Sequence, residues 1–145
     1  MSETRILGID PGLRQTGFGV IDCNKNKYTY IASGVIKTNS DQLNLPERLK
    51  IIFDEVCETI LKFNPKQMCI EKTFVNMNAN SSLALGQARG VSMAAAIQHN
   101  LPIYEYTALQ IKKYCRWERA CSKNTGAVDG AKAFKFTRNA WSRFL

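Results

Sequence analysis

The chain has 145 residues, 45% of them hydrophobic, and a formal net charge of +8. That is length enough for one domain with a genuine core, while no apolar run reaches the roughly 18 residues that a membrane-spanning helix needs. The opening Met1-Ser2-Glu3-Thr4-Arg5 has no charged-then-apolar leader, and five cysteines without finger spacing read as reduced thiols of a cytoplasmic protein.

Ile6-Leu7-Gly8-Ile9-Asp10 is an apolar run closed by a carboxylate, Pro11-Gly12 is a turn signal, and Thr16-Gly17-Phe18-Gly19-Val20-Ile21 is a second apolar run. Together they predict a hairpin of two adjacent strands. Lys27 to Thr38, rich in aromatic and β-branched residues, predicts a third strand and hence an antiparallel meander. After a polar loop over 39–44, Pro46 suits a first helical position. Leu49, Ile52, Phe53, Val56, Ile60 and Phe63 then recur at helical spacing until Asn64-Pro65. Gln67-Met68-Cys69-Ile70-Glu71 predicts a short strand that again ends in a carboxylate. A second helix is expected over 78–100, starting near Asn80-Ser81. Its Gly86 and Gly90, each costing about 1 kcal/mol in a helix, are expected to mark close packing on the sheet or on another subunit. Residues 102–106 predict a fifth strand, and Thr107 to Lys113 a further helix. The order βββαβαβα is an α/β arrangement, a mixed five-stranded sheet flanked by helices.

Asp10 and Glu71 each end a core strand. If those strands are neighbours, the two carboxylates converge, repel, and are relieved by a proton or a cation. Oxygen ligands without histidine favour Mg²⁺, with Mn²⁺ as the other hard divalent candidate, over zinc. A divalent ion so held, with phosphate oxygens completing its shell, suits phosphodiester hydrolysis. The competing reading makes Asp10 the cap of its own turn and Glu71 a strand end that has reached solvent.

Gly8-Ile9-Asp10-Pro11-Gly12 with Thr16-Gly17-Phe18-Gly19-Val20 resembles the opening of the RuvC-type crossover (Holliday) junction endodeoxyribonucleases. Ile70-Glu71-Lys72-Thr73-Phe74, then Asn78-Ala79, then Leu85-Gly86-Gln87-Ala88-Arg89-Gly90 continue the resemblance in order and spacing. Glu105-Tyr106 and Gln110-Ile111-Lys112 extend it, so that it covers residues 5–113. It implies an RNase H-like nuclease domain over 1–113, a homodimer, metal-dependent nicking of four-way junction DNA in recombination and repair, and a branch-migration helicase complex as partner. By position, Asp10 and Glu71 match two of the family's four catalytic, metal-holding carboxylates. Phe74 matches an aromatic that stacks on a base at the crossover, a contact worth about 1–3 kcal/mol. Lys112 matches a basic position near the DNA path. Lys113 and Arg89 are further DNA-contact candidates, open also to a solvated helix end for the lysine and a helix cap or dimer contact for the arginine.

The resemblance stops near Lys113. Residues 114–145 hold 7 Lys/Arg against 2 Asp/Glu, a balance of +5, whereas residues 1–113 hold 13 against 10, or +3. Most of the positive charge that would suggest a polyanionic partner therefore sits in this atypical tail. Its acids, Glu118 and Asp129, do not supply the family's other two carboxylates, and the C-terminal helix that carries them is disturbed. Read one base later, Lys123 to Asp129 permits Lys-Thr-Gln-Val-Gln-Trp-Met, and Phe134 to Arg143 permits Leu-Asn-Leu-Pro-Gly-Thr-Pro-Gly-Ala-Asp. That text resembles the family's missing helix, its Leu-Pro-Gly loop and an acid, so the tail is expected to be a frameshift product and cleavage impaired. A junction-binding protein without catalysis is the first alternative. A nucleotide-binding domain of the actin and sugar-kinase type is the second, although that architecture wants a second lobe.

Overall fold

The structure, a computed structural model, describes residues 4–24, 27–72 and 78–106. Its elements are β1 (Thr4–Asp10), β2 (Gln15–Asn24), β3 (Lys27–Lys37), α1 (Leu45–Phe63), β4 (Gln67–Glu71), α2 (Ala79–Gln98) and β5 (Ile103–Tyr106). The predicted helix from Thr107, the boundary at 113/114 and the tail lie outside the described residues. The five strands form one sheet in the order β3-β2-β1-β4-β5. The β1–β2 and β2–β3 pairs are antiparallel, and the β1–β4 and β4–β5 pairs are parallel. This is the mixed sheet that the sequence predicts.

Strand alternation decides the faces. Leu7, Ile9, Val20, Met68 and Ile70 are all buried on one face. Ile52, Val56 and Ile60 of α1, with Ala88, Ala95 and Ala96 of α2, join them in a single core. Each large aliphatic side chain so buried contributes about 1.5–3 kcal/mol. The α2 contribution is mostly alanine, which lets that helix come close. Among the described residues both helices lie on this face. The opposite face presents Ile6, Gly8, Asp10, Gly17, Ile21, Val35, Cys69 and Glu71.

Helix boundaries follow from local hydrogen bonds. Asn44 Oδ1 accepts from Glu47 N at 3.0 Å, and Glu47 Oε2 accepts from Asn44 N at 2.8 Å, a reciprocal capping box that starts α1 at Leu45. Asn64, in the left-handed region at φ 47°, ends it by donating N–H to the Ile60 carbonyl at 2.8 Å. The Asn78 side chain accepts from the amides of Asn80 and Ser81, so α2 starts at Ala79, just ahead of the predicted start.

Of the two packing partners expected for Gly86 and Gly90, the sheet is excluded: both glycines are exposed, and among the described residues a Cβ at either would meet nothing within 4 Å. With Leu83 and Ile97, 63% and 64% exposed, they fall on one outward stripe of α2. Cys57 and Cys69 are free thiols. Among the described residues no helix is long and apolar enough to cross a membrane.

Candidate active site

Asp10 is the last residue of β1 and Glu71 the last of β4. The strands run parallel with Ile9 opposite Ile70, so the next step along each places Asp10 beside Glu71, at the carboxyl ends of adjacent central strands. Ile9 and Ile70 point into the core, and the two acids therefore share the other face. Burial, and secondarily the negative charge of Glu71, push the Asp10 carboxyl up from 3.8 to about 7. A pair of acids in this state binds either a shared proton or a cation. Both ligand types are hard oxygen, which fits Mg²⁺ or Mn²⁺. Among the described residues no cluster of three His, Cys, Asp or Glu side chains forms a closed metal cage, so Asp10 and Glu71 would hold such an ion with positions left for other ligands.

Small residues keep the site open. Gly17 faces Asp10 across the β1–β2 pair. A Cβ there would lie 3.5 Å from the Asp10 Cβ and 3.9 Å from its Oδ2, laying a methyl against the carboxylate.

The turn that follows Asp10 is tied from three sides. A Cβ at Gly12 would fall 2.3 Å from the Gln15 carbonyl oxygen, so only glycine closes this turn. The fully buried Thr16 hydroxyl donates to the Gly12 carbonyl at 2.8 Å and accepts from its N–H at 3.3 Å. Just beyond β3, Thr38 donates its N–H to the Arg14 carbonyl at 2.9 Å and its hydroxyl to that of Leu13. Arg48 of α1 in turn holds the carbonyls of Thr38, Ser40 (2.7 Å) and Leu43 (3.2 Å). Sequence reading singled out neither Thr38 nor Arg48, because contacts between residues this far apart leave no spacing pattern.

Arg89 reaches the same end of the sheet from α2. Its Nε donates to the main-chain carbonyl of Glu71 at 3.2 Å, and an Nη pairs with the Glu105 carboxylate of β5. The guanidinium expected to contact DNA is thus engaged within the chain. Phe74, Lys112 and Lys113, the other DNA-contact expectations, lie outside the described residues.

An antiparallel meander continued by two parallel strands, with a carboxylate ending each of two central strands, is an RNase H-like fold. Residues 6–126 match the family of crossover junction endodeoxyribonuclease RuvC. The chain belongs to that family. It is 55% identical to the RuvC of Nitrosomonas eutropha over 109 residues, which are 75% of this chain and 60% of that protein. With the RuvC of Methylobacillus flagellatus it shares 56% over 113 residues, 75% of this chain and 63% of that protein. The fold also superposes on T. thermophilus RuvC in complex with a Holliday junction substrate, with a TM-score of 0.71 and 30% identity, covering 77% of this chain and 69% of that one. The chain spans about three fifths of the length of the curated relatives it matches.

Proposed function

We propose that this chain carries the Asp10 and Glu71 half of a centre that nicks four-way DNA junctions by metal-dependent phosphodiester hydrolysis. The observation that carries the reading is the pairing of two carboxylates at the ends of parallel β1 and β4, one of them holding its proton to about pH 7. Bound there, Mg²⁺ or Mn²⁺ would polarise the scissile phosphate and lower the pKa of an attacking water. The glycines of β2 leave room for a phosphate to approach Asp10. Phe74 stacks on a crossover base in this reading, Lys112 and Lys113 meet phosphates, and a branch-migration helicase complex is the partner, in the cytoplasm where free thiols persist. In a chain whose C-terminal helix has been restored by the frame correction argued below, Asp10→Asn or Glu71→Gln should cut Mg²⁺-dependent nicking by on the order of 10³-fold and spare junction binding. Nicking at the unaltered rate by either variant would overturn the assignment. Binding without cleavage is the second reading, favoured by there being only two converging carboxylates among the described residues; binding with no cleavage after the frame correction would select it.

The same reading includes a homodimer. A four-way junction cut at two symmetric points matches a two-fold protein, and the outward stripe of Leu83, Gly86, Gly90 and Ile97 would let two α2 helices approach closely. Light scattering on the folded chain at micromolar concentration should report a dimer. Gly90→Arg, whose Cβ meets nothing within 4 Å among the described residues, should report a monomer. A folded, unaltered chain that is monomeric would exclude the interface.

A further inference from the structure

We infer that Arg89, through its pair with Glu105, is a positioning residue for Glu71; the inference rests on the metal-site reading above. The problem it solves lies at the end of β4. Register pairing between β1 and β4 stops at Ile9 and Ile70, because the residue after Asp10 is Pro11, which has no N–H with which to extend that side of the ladder. β4 nevertheless continues to Glu71. On the β5 side it is still held, since Lys72 donates its N–H to the Tyr106 carbonyl at 2.7 Å. On the β1 side, Pro11 has no N–H to offer the Glu71 carbonyl.

Arg89 supplies a donor there. Its Nε–H bonds to the Glu71 carbonyl at 3.2 Å, and the rest of the guanidinium is fixed by the Glu105 carboxylate. Glu105 stands opposite Ile70 in the β4–β5 register, so it shares the helix-covered face and cannot be a partner of Asp10. The Arg89 side chain is 20% exposed and that of Glu105 36%, and the hydrogen bond between them is charge-assisted. The pair therefore grips the backbone of Glu71 from behind, while its carboxylate faces Asp10 on the opposite side of the sheet. A rigid fork suits this task. Lysine, a single flexible point charge, cannot hold the carbonyl and the carboxylate in one geometry.

Mn²⁺ binding to the full chain, followed by the paramagnetic resonance of the free ion, tests this without reference to cleavage. Removing a residue that orients a ligand typically costs 10–100-fold in metal affinity. Arg89→Met should weaken Mn²⁺ binding by about that factor, Arg89→Lys should restore little of it, and Glu105→Gln should weaken binding in the same direction. The double variant should lose no more than Arg89→Met alone, because both act through one pair. Circular dichroism on the same samples establishes that they are folded. If Arg89→Met does not fold, Glu105→Gln, which alters a partly exposed side chain, carries the test. Mn²⁺ binding that depends on Asp10 but is unchanged in folded Arg89→Lys and Glu105→Gln overturns the positioning role alone. Mn²⁺ binding unchanged by Asp10→Asn overturns the metal site itself.

Discussion

Between about pH 4 and pH 7, without divalent metal, the folded chain should lose stability as pH rises, and Mn²⁺ or Mg²⁺ should remove that slope. In the unfolded chain Asp10 releases its proton near the ordinary 3.8; in the folded chain it keeps it until about 7. Between those values the native state binds one proton more than the unfolded state, so stability falls with increasing pH. The full difference is on the order of 4 kcal/mol, large beside a typical stability of about 5–15 kcal/mol. Asp22 works with the opposite sign. It accepts from Arg5 Nε at 2.7 Å and Nη2 at 2.8 Å, and that pairing holds its carboxyl below the usual range. Its contribution is present above the unfolded value and is lost as pH falls through the folded one. The two windows do not overlap: Asp10 governs the range from about 4 to 7, and Asp22 the acid limb. A cation between Asp10 and Glu71 replaces the shared proton, so it should stabilise most above pH 7. Denaturant midpoints from pH 5 to 8, with chelator and with Mn²⁺, test this. Asp10→Asn should flatten the chelator profile and raise stability at pH 8. A slope that survives Asp10→Asn would assign the effect elsewhere.

Much of this centre was legible because a carboxylate ending an apolar run is locally unusual. Asp10 and Glu71 both stand out against Ile9 and Ile70, and strand periodicity suffices to put each at a strand end. Their adjacency was not legible, since it depends on β1 and β4 pairing across the intervening β2, β3 and α1. Pro46 marked the start of α1 in the sequence, whereas the Asn44 and Glu47 capping box that fixes it at Leu45 was not singled out. Which side of α2 Gly86 and Gly90 take was not legible, for a physical reason. The α2 sequence mixes small, apolar and polar residues without a strong helical period, so its period does not choose a face. The choice falls to size: Ala88, Ala95 and Ala96 go inward, and the glycines are left on the outward stripe with Leu83 and Ile97. The ties of Thr38 and Arg48 to the Asp10 turn, like that of Arg89 to Glu71, join residues distant in sequence. Only the folded sheet end brings them together.

Correcting a single base near codon 114 should turn a chain that nicks junctions little or not at all into an efficient Mg²⁺-dependent one. Frame is the issue because of what residues 114–143 permit when read one base later. Tyr114 to Ala120 permits Thr-Val-Val-Gly-Asn-Gly-Arg, continuing from Lys113 without a gap. Lys123 to Asp129 permits Lys-Thr-Gln-Val-Gln-Trp-Met, and Phe134 to Arg143 permits Leu-Asn-Leu-Pro-Gly-Thr-Pro-Gly-Ala-Asp. The shifted text replaces a basic, tryptophan-bearing tail with a glycine turn, a helix-compatible stretch, a Leu-Pro-Gly loop and an acid. The helix, the Leu-Pro-Gly loop and the acid are the parts that the family resemblance implies for this end of the chain. Degeneracy alone allows many readings, but this one commits the gene to particular codons. For the shifted peptide to be encoded, Thr125 must be ACA, Gly126 GGT, Ala127 GCA, Val128 GTG and Asp129 GAT. Other codons at those positions, each synonymous in the present frame, would show that this shifted peptide is not encoded, with no protein made. If the codons agree, removing one base near codon 114 should restore a helix able to bring a further carboxylate to Asp10 and Glu71. The gain in nicking should then be on the order of 10³-fold or more. Efficient junction nicking by the unaltered 145-residue chain would show instead that Asp10 and Glu71 suffice and that the tail is a functional divergence.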